Sequence, residues 1–191
     1  MNSLLQSSGS GRRALPLSVA AWHVMIDQGL APRRAELLRG VIYEKMSKSI
    51  LHIKLAARLL EVLQKAHGDE YWVRKEDPLT FADSEPEPDL SVVAGRESDY
   101  SAHPQTAVLV VEVAVSSVEE DRGMADLYAE AGVTEYWIVN GAARCVEVFR
   151  RPEAGHYLEQ SRRECRELLE SAALPQLKVD LRALFDIQSE S

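Results

Sequence analysis

Cysteine is nearly absent from this chain, which has Cys145 and Cys165 as the only two in 191 residues. With no C-x-x-C spacing they support neither a disulfide framework nor a structural zinc site, and they read as reduced, buried thiols. Also missing is any run near the roughly 20 apolar residues that a membrane-crossing helix needs. No apolar stretch follows Arg12 and Arg13 to form a secretory signal, so a soluble, cytoplasmic protein is expected. Basic side chains are in short supply, 22 Lys and Arg against 30 Asp and Glu, a net charge of −8. That is the wrong sign for holding nucleic acid by bulk electrostatics, so any contact with DNA must use a local basic patch. Arg12 and Arg13, Arg150 and Arg151, and the group Arg162, Arg163 and Arg166 are the candidates. Each cluster taken alone also reads as solvated surface charge. There is no G-x-S-x-G elbow, no H-E-x-x-H and no Gly-rich phosphate loop, which removes support for hydrolases of the serine type, zinc proteases and nucleotide binders.

What is present is 46% hydrophobic residues, enough at this length for one domain with a substantial core. Residues Met1 to Arg13, rich in Ser and Gly, have little apolar surface to offset the entropy of ordering and read as a flexible arm. Residues 14–191 form the expected single domain. Val19 to Ile26 fits a short amphipathic helix preceded by Pro16 and Ser18 and stopped by Gly29. Residues 35–38 and 41–44 flank Arg39-Gly40 as a hairpin. Ile53, Ala56, Leu60 and Leu63 recur at helical spacing between Ser49 and His67, the clearest helix of the chain. Residues 71–74, 79–81, 89–93 and 107–114 are expected strands, the last a nearly continuous apolar run of the kind covered on both faces. A helix over Asp121 to Ala131 ends at Gly132 and leads into a strand at 135–139. The turn signal Asn140-Gly141 precedes strands at 145–149 and 156–160, a short segment at 177–179 and a closing helix at 181–185. Hairpins combined with a β-α-β crossover predict an α/β fold, a central mixed sheet with helices on its faces.

Three carboxylates stand beside apolar strand sequence, where an unpaired charge is costly: Glu36, Asp89 and Glu112. Glu112 is the sharpest, with five apolar residues before it and Val113-Ala114-Val115 after, so its charge needs a metal, a cationic partner or a raised pKa. Asp89 follows Pro88 at the start of a strand. Two carboxylates from adjacent strands can hold one Mg²⁺, leaving positions for water and substrate oxygens. The alternative is structural: Asp89 capping a turn, and Glu112 paired with an arginine such as Arg122. Spacing alone leaves both open. Tyr136, Trp137 and Phe149 lie on strands and are explained by core packing.

Five segments together resemble the Uma2 family of the PD-(D/E)XK nuclease superfamily. They are Glu-Leu-Leu-Arg-Gly (36 to 40), His52 at a helix start, Glu-Pro-Asp-Leu-Ser-Val-Val (87 to 93), Val-Val-Glu-Val-Ala-Val-Ser-Ser (110 to 117) and Leu-Tyr-Ala-Glu-Ala-Gly-Val-Thr-Glu-Tyr-Trp-Ile-Val (127 to 139). The resemblance covers nearly everything after the arm. It implies a restriction-endonuclease-like fold, with Asp89 and Glu112 binding Mg²⁺, or Mn²⁺ in its place, and Glu36 assisting. It also implies a catalytic lysine, expected at the position of Ala114 or of Met124; neither position carries one. Arg122 is a candidate substitute, although a guanidinium is not equivalent to an ammonium. His52 is a candidate for a polar role in the site, the other reading being a helix cap or surface residue. Two functions follow as expectations: a Mg²⁺-dependent endonuclease that hydrolyses DNA phosphodiesters, or a catalytically degenerate relative acting as a binding or assembly module. A third, a structural domain with internally paired acids, would show Glu112 on an arginine. Homodimerisation is expected by analogy with other nucleases of this fold.

Overall fold

A computed structural model describes residues 14–66 and 68–187. The expected arm, Met1 to Arg13, lies outside the described residues, as does His67. In chain order the elements are α1 (Val19–Asp27), β1 (Ala35–Leu38), β2 (Val41–Glu44), α2 (Ile50–Ala66), β3 (Tyr71–Lys75), β4 (Leu90–Ala94), β5 (Leu109–Ala114), α3 (Val118–Gly123), α4 (Ala125–Glu130), β6 (Glu135–Asn140), β7 (Cys145–Glu153), β8 (His156–Glu164), β9 (Leu168–Glu170), β10 (Lys178–Asp180) and α5 (Leu181–Phe185). Strands β3 to β8 form one six-stranded sheet in sequential order. Within it β5 and β6 are parallel neighbours; the remaining pairs are antiparallel. A parallel pair cannot be closed by a tight turn, and α3 with α4 provides the crossover.

The sheet is buried on both faces. On one, Leu55, Ala56, Leu59 and Leu63 of α2 and Leu181, Leu184 and Phe185 of α5 pack on Leu109, Val111, Val113, Trp137, Val139, Val146 and Val148. On the other, Tyr128 of α4 and Leu79 lie against Val110, Ala114, Tyr136, Ile138 and Phe149. The alternation of β5 between these two sets is the period-two geometry of a strand read from both sides. Every residue of β5 is buried except Glu112, which keeps partial access to solvent.

Two expectations are corrected. Residues 79–81 are not a strand: the Leu79 and Phe81 amides bond to the Pro86 and Ser84 carbonyls of one neighbouring loop, and the Thr80 amide to that of Pro104. Pro86 has no N–H to return the Leu79 bond and the Glu85 amide goes to Leu37, so no ladder extends from this pair. The single helix expected over Asp121 to Ala131 begins earlier, at Val118, and is broken at Met124. Met124 N–H bonds back three residues to the Asp121 carbonyl, next to Gly123, a poor helix former. The pair β9 and β10 forms a separate two-stranded unit, of which only the second strand was expected.

The β1–β2 hairpin has the expected register, Leu38 opposite Val41. Its turn takes φ of 52° at Arg39 and 73° at Gly40, the paired positive values of a tight hairpin turn. A Cβ at residue 40 would fall on Pro16 Cβ. Gly40→Ala is therefore expected to destabilise the protein by roughly 1–3 kcal/mol, read as a lower midpoint in a urea titration with unchanged slope; an unchanged midpoint would show that the turn relaxes freely.

Candidate active site

The ladder between β4 and β5 ends at Leu90 opposite Val111. The next pair in that register is Asp89 opposite Glu112, and here side chains take over from backbone. Asp89 N–H donates to Glu112 Oε2 at 3.0 Å, and Val113 N–H donates to Asp89 Oδ2 at 2.8 Å. Each strand thus presents a carboxylate to the other's amide, which satisfies donors that would otherwise be stranded where the strands part. Tyr128, reaching from α4 through the aromatic cluster, donates its hydroxyl to Glu112 Oε1 at 2.8 Å.

Asp89 is buried, and its other oxygen, Oδ1, receives Lys48 Nζ at 2.7 Å and His52 Nε2 at 3.0 Å. Both come from the start of α2. Ser49 Oγ accepts the His52 amide at 3.2 Å, an N-cap that fixes the first turn, with Lys48 just before the cap and His52 three residues after it. Lys48 also bonds Glu76 Oε1 at 2.8 Å. Burial works to raise the Asp89 carboxyl, but His52 and Lys48 overcome it and hold it below the ordinary aspartate value. Burial likewise opposes the Lys48 charge, and its bonds to Asp89 and Glu76 keep it above the usual lysine value.

Glu112 is placed differently. Burial, then the charges of Asp89 and Asp121, push its carboxyl well above the ordinary value. Among the described residues it has no basic partner, only the Asp89 amide and the Tyr128 hydroxyl. Asp121, at the crossover helix α3, accepts the Ser117 hydroxyl at 3.0 Å and is raised to about 6, mainly by burial with a contribution from Asp89. The other buried acids are provided for. Glu135 receives Trp137 Nε1, Arg150 Nε, the Ser171 hydroxyl and the amides of Ala172 and Ala173. Glu147 is paired with Arg122, and Glu85 takes Thr80 and His23, both at 2.6 Å.

The structure therefore brings together Asp89, Glu112 and His52 from among the residues singled out in the sequence. Glu36 lies at the edge of the group: its Oε2 accepts the Glu87 amide at 3.1 Å, with Lys45 Nζ 4.0 Å away, and burial raises its carboxyl. Arg122 does not join them. It is held by Glu147 across the sheet and by Glu119 on its own helix, so neither the substitute-cation role nor a pair with Glu112 is realised. Of the positions where a lysine was expected, Ala114 is fully buried in the core and closed to a charge, and Met124 is half-buried against the same cluster. Lys48, Asp121 and Tyr128 were missed as site residues. Only Lys48 carried a signal, standing four residues before His52 on the helix-start segment.

No three His, Cys, Asp or Glu side chains among the described residues stand together as a ready metal cage. What Asp89 and Glu112 offer is the donor set Mg²⁺ commonly uses, one or two carboxylates with other positions left to water and substrate. Glu112 and Asp121, which have no basic partner within ion-pair distance among the described residues, form a group of the sign a cation relieves.

A crystal structure described as a putative nuclease belonging to DUF820, from Anabaena variabilis ATCC 29413, superimposes with a TM-score of 0.74 at 17% identity, over 89% of this chain and 98% of that one. At that identity the likeness establishes the fold, a nuclease-like α/β architecture. No curated protein matches the sequence. The model of the Uma2 family, described as putative restriction endonuclease, matches residues 28–182. That span holds the hairpin, the whole six-stranded sheet and every residue of the site, and the chain belongs to the Uma2 family.

Proposed function

We propose that the protein is a metal-dependent endonuclease that hydrolyses DNA phosphodiesters, with Asp89 and Glu112 as ligands of one Mg²⁺ or Mn²⁺ and Lys48 as the cation of the site. The observation that carries the reading is Glu112: the one partly open position of an otherwise buried strand, occupied by an acid that has no basic partner among the described residues and is locked to Asp89. Structural acids of this fold are neutralised by arginine or by a full set of donors, as at Glu147 and Glu135. An acid left electrically unbalanced beside a second acid is arranged for a cation. A bound Mg²⁺ would lower the pKa of a water and stabilise charge on the phosphodiester.

The chain's own residues do the rest. Asp89 stays ionised near neutrality because Lys48 and His52 hold it so. Tyr128 fixes Glu112 Oε1 and leaves the carboxylate little freedom to swing. Lys48 is an ammonium on a flexible stem, able to orient a water or offset phosphoryl charge while resting on Asp89. Its arrival from the loop before α2 would supply what Ala114 and Met124 lack, which supports an active protein over a degenerate one. Glu36 supports the group from the side, and Lys45 balances it.

Calorimetry with Mg²⁺ and Mn²⁺, paired with nicking of supercoiled plasmid, tests the reading. Wild type is expected to bind and nick, and Glu112→Ala to lose both. Binding without nicking would identify an assembly module instead, and no binding by wild type would remove the metal. Lys48→Ala is expected to retain metal binding while nicking falls by about 10²-fold; full activity in that variant would exclude Lys48 from the reaction.

Asp121 gives a pH signature in metal-free protein. Its carboxyl is raised on folding, so it favours the fold below about pH 4, and that contribution is lost as pH rises through about 6. Asp121→Asn is expected to melt higher than wild type near pH 7 and to match it near pH 4. Parallel melting curves at all pH values would show that Asp121 is not destabilised by its surroundings.

A further inference from the structure

At the same end of the sheet as the site, but on the α2 and α5 side, an open pocket of about 360 Å³ is lined by Arg144, Arg166, Arg182 and Cys165. The three arginines come from separate places. Arg144 ends the β6–β7 turn, Arg166 lies in the β8–β9 turn, and Arg182 is in the first turn of α5. The Leu181 amide bonds the Glu167 carbonyl at 3.2 Å, which ties α5 to the turn carrying Arg166. All three side chains are exposed, and among the described residues none has a carboxylate within ion-pair distance. Their neighbours differ: Arg122, Arg150, Arg151, Arg162 and Arg163 each have a carboxylate partner. In a chain with 30 acidic side chains against 22 basic ones, three converging unpaired guanidiniums are a local reversal of sign.

The position of the pocket follows from the register. Ala114, Asn140, Cys145 and Glu164 form one row across the end of β5, β6, β7 and β8. Glu112 stands two residues from the start of that row, and Arg144 and Arg166 flank its far end. With strands about 4.8 Å apart and the row two residues beyond Glu112, the pocket is roughly 12–16 Å from Glu112 and farther from Asp89, one strand beyond. At about 3.4 Å of axial rise each, that is about four or five nucleotides.

We infer that this pocket binds a backbone phosphate of DNA, a few nucleotides from the phosphodiester held at Asp89 and Glu112. The inference rests on the nuclease reading and adds where the substrate is gripped. Guanidinium groups suit it, because their planar donors match phosphate oxygens in pairs. The pocket overcomes the adverse net charge locally, at the sheet end where the site opens. Of the basic residues singled out in the sequence, Arg12 and Arg13 lie outside the described residues; among the described ones Arg166 alone belongs to it, and Arg150, Arg151, Arg162 and Arg163 are spent on carboxylates.

The test compares wild type with the triple variant Arg144→Gln, Arg166→Gln, Arg182→Gln, and with Arg151→Gln, an exposed arginine at the far end of β7. Binding of a fluorescent duplex oligonucleotide is measured by anisotropy in metal-free buffer over roughly 50–200 mM salt, with plasmid nicking in Mg²⁺ alongside. The triple variant is expected to bind at least about tenfold more weakly, with a salt slope shallower by about one for each phosphate it no longer engages. Its nicking is expected to fall at low plasmid concentration and recover at saturation, while Arg151→Gln behaves as wild type. If wild type binds and nicks DNA and the triple variant does so with unchanged affinity and slope, the pocket inference falls and the nuclease reading stands. If wild type neither binds nor nicks, both fall. Calorimetry with inorganic phosphate separates the remaining source: phosphate binding abolished in the triple variant with DNA binding unchanged would make the pocket a site for free anions and overturn the inference.

Discussion

The structure turns on the exchange between Asp89 and Glu112 at the point where β4 and β5 stop pairing as backbone. Ending a ladder inside a sheet strands amides away from water, a cost close to that of a missing hydrogen bond for each. Here the Asp89 amide is satisfied by the Glu112 carboxylate and the Val113 amide by the Asp89 carboxylate. The two acids are thereby part of the fold and yet aimed at one another, which no isolated pair of surface carboxylates would be. Their proximity raises the electrostatic cost of ionising both, and in the proposed mechanism that cost is what a bound cation would relieve.

The charge arrangement elsewhere follows one rule. Buried acids that serve the fold are closed off: Glu135 by five donors, Glu147 by Arg122, Glu85 by Thr80 and His23. At the sheet end the partners are uneven. Among the described residues Asp89 has Lys48 and His52, Asp121 has the Ser117 hydroxyl, and Glu112 has no base at all. What distinguishes these carboxylates is the set of partners each one has, and partners are placed by topology. In the proposed mechanism the same topology brings the cation from the segment before α2, across the sheet end from the strand that holds the acid.

Tyr128 shows how the two faces of the sheet contribute to one site. It is fully buried in the aromatic cluster with Tyr136 and Phe81, and its hydroxyl emerges only at Glu112. Core packing on the α4 face therefore sets the orientation of a carboxylate whose partner Asp89 is held from the opposite side by α2. A chain that loosened either face would lose the geometry of the site before it lost the fold, because rotamers are fixed by packing at interior density.

The sequence by itself determined the architecture and drew attention to a few acids without deciding their role. Continuous apolar strands, a turn at Arg39-Gly40 and a crossover before Glu135 are local patterns whose period gives the element, and the cost of burying a charge singled out Glu36, Asp89 and Glu112 beside apolar strand sequence while leaving metal binding and internal pairing both open. Only the tertiary structure decided which groups meet them. Lys48 is 41 positions from Asp89 and the contact is made by the packing of α2 on the sheet; Arg122, close to Glu112 in sequence, is drawn away by Glu147 on β7. The strand expected at residues 79–81 failed for a related reason, since the Leu79 and Phe81 amides turn to the loop at Ser84 and Pro86 and the Thr80 amide to Pro104, and Pro86 has no N–H with which to continue a ladder. Hydrophobic period is written along the chain, whereas the pairing of a charge depends on which side chains the folded sheet brings within about 4 Å, and that is a property of register and packing.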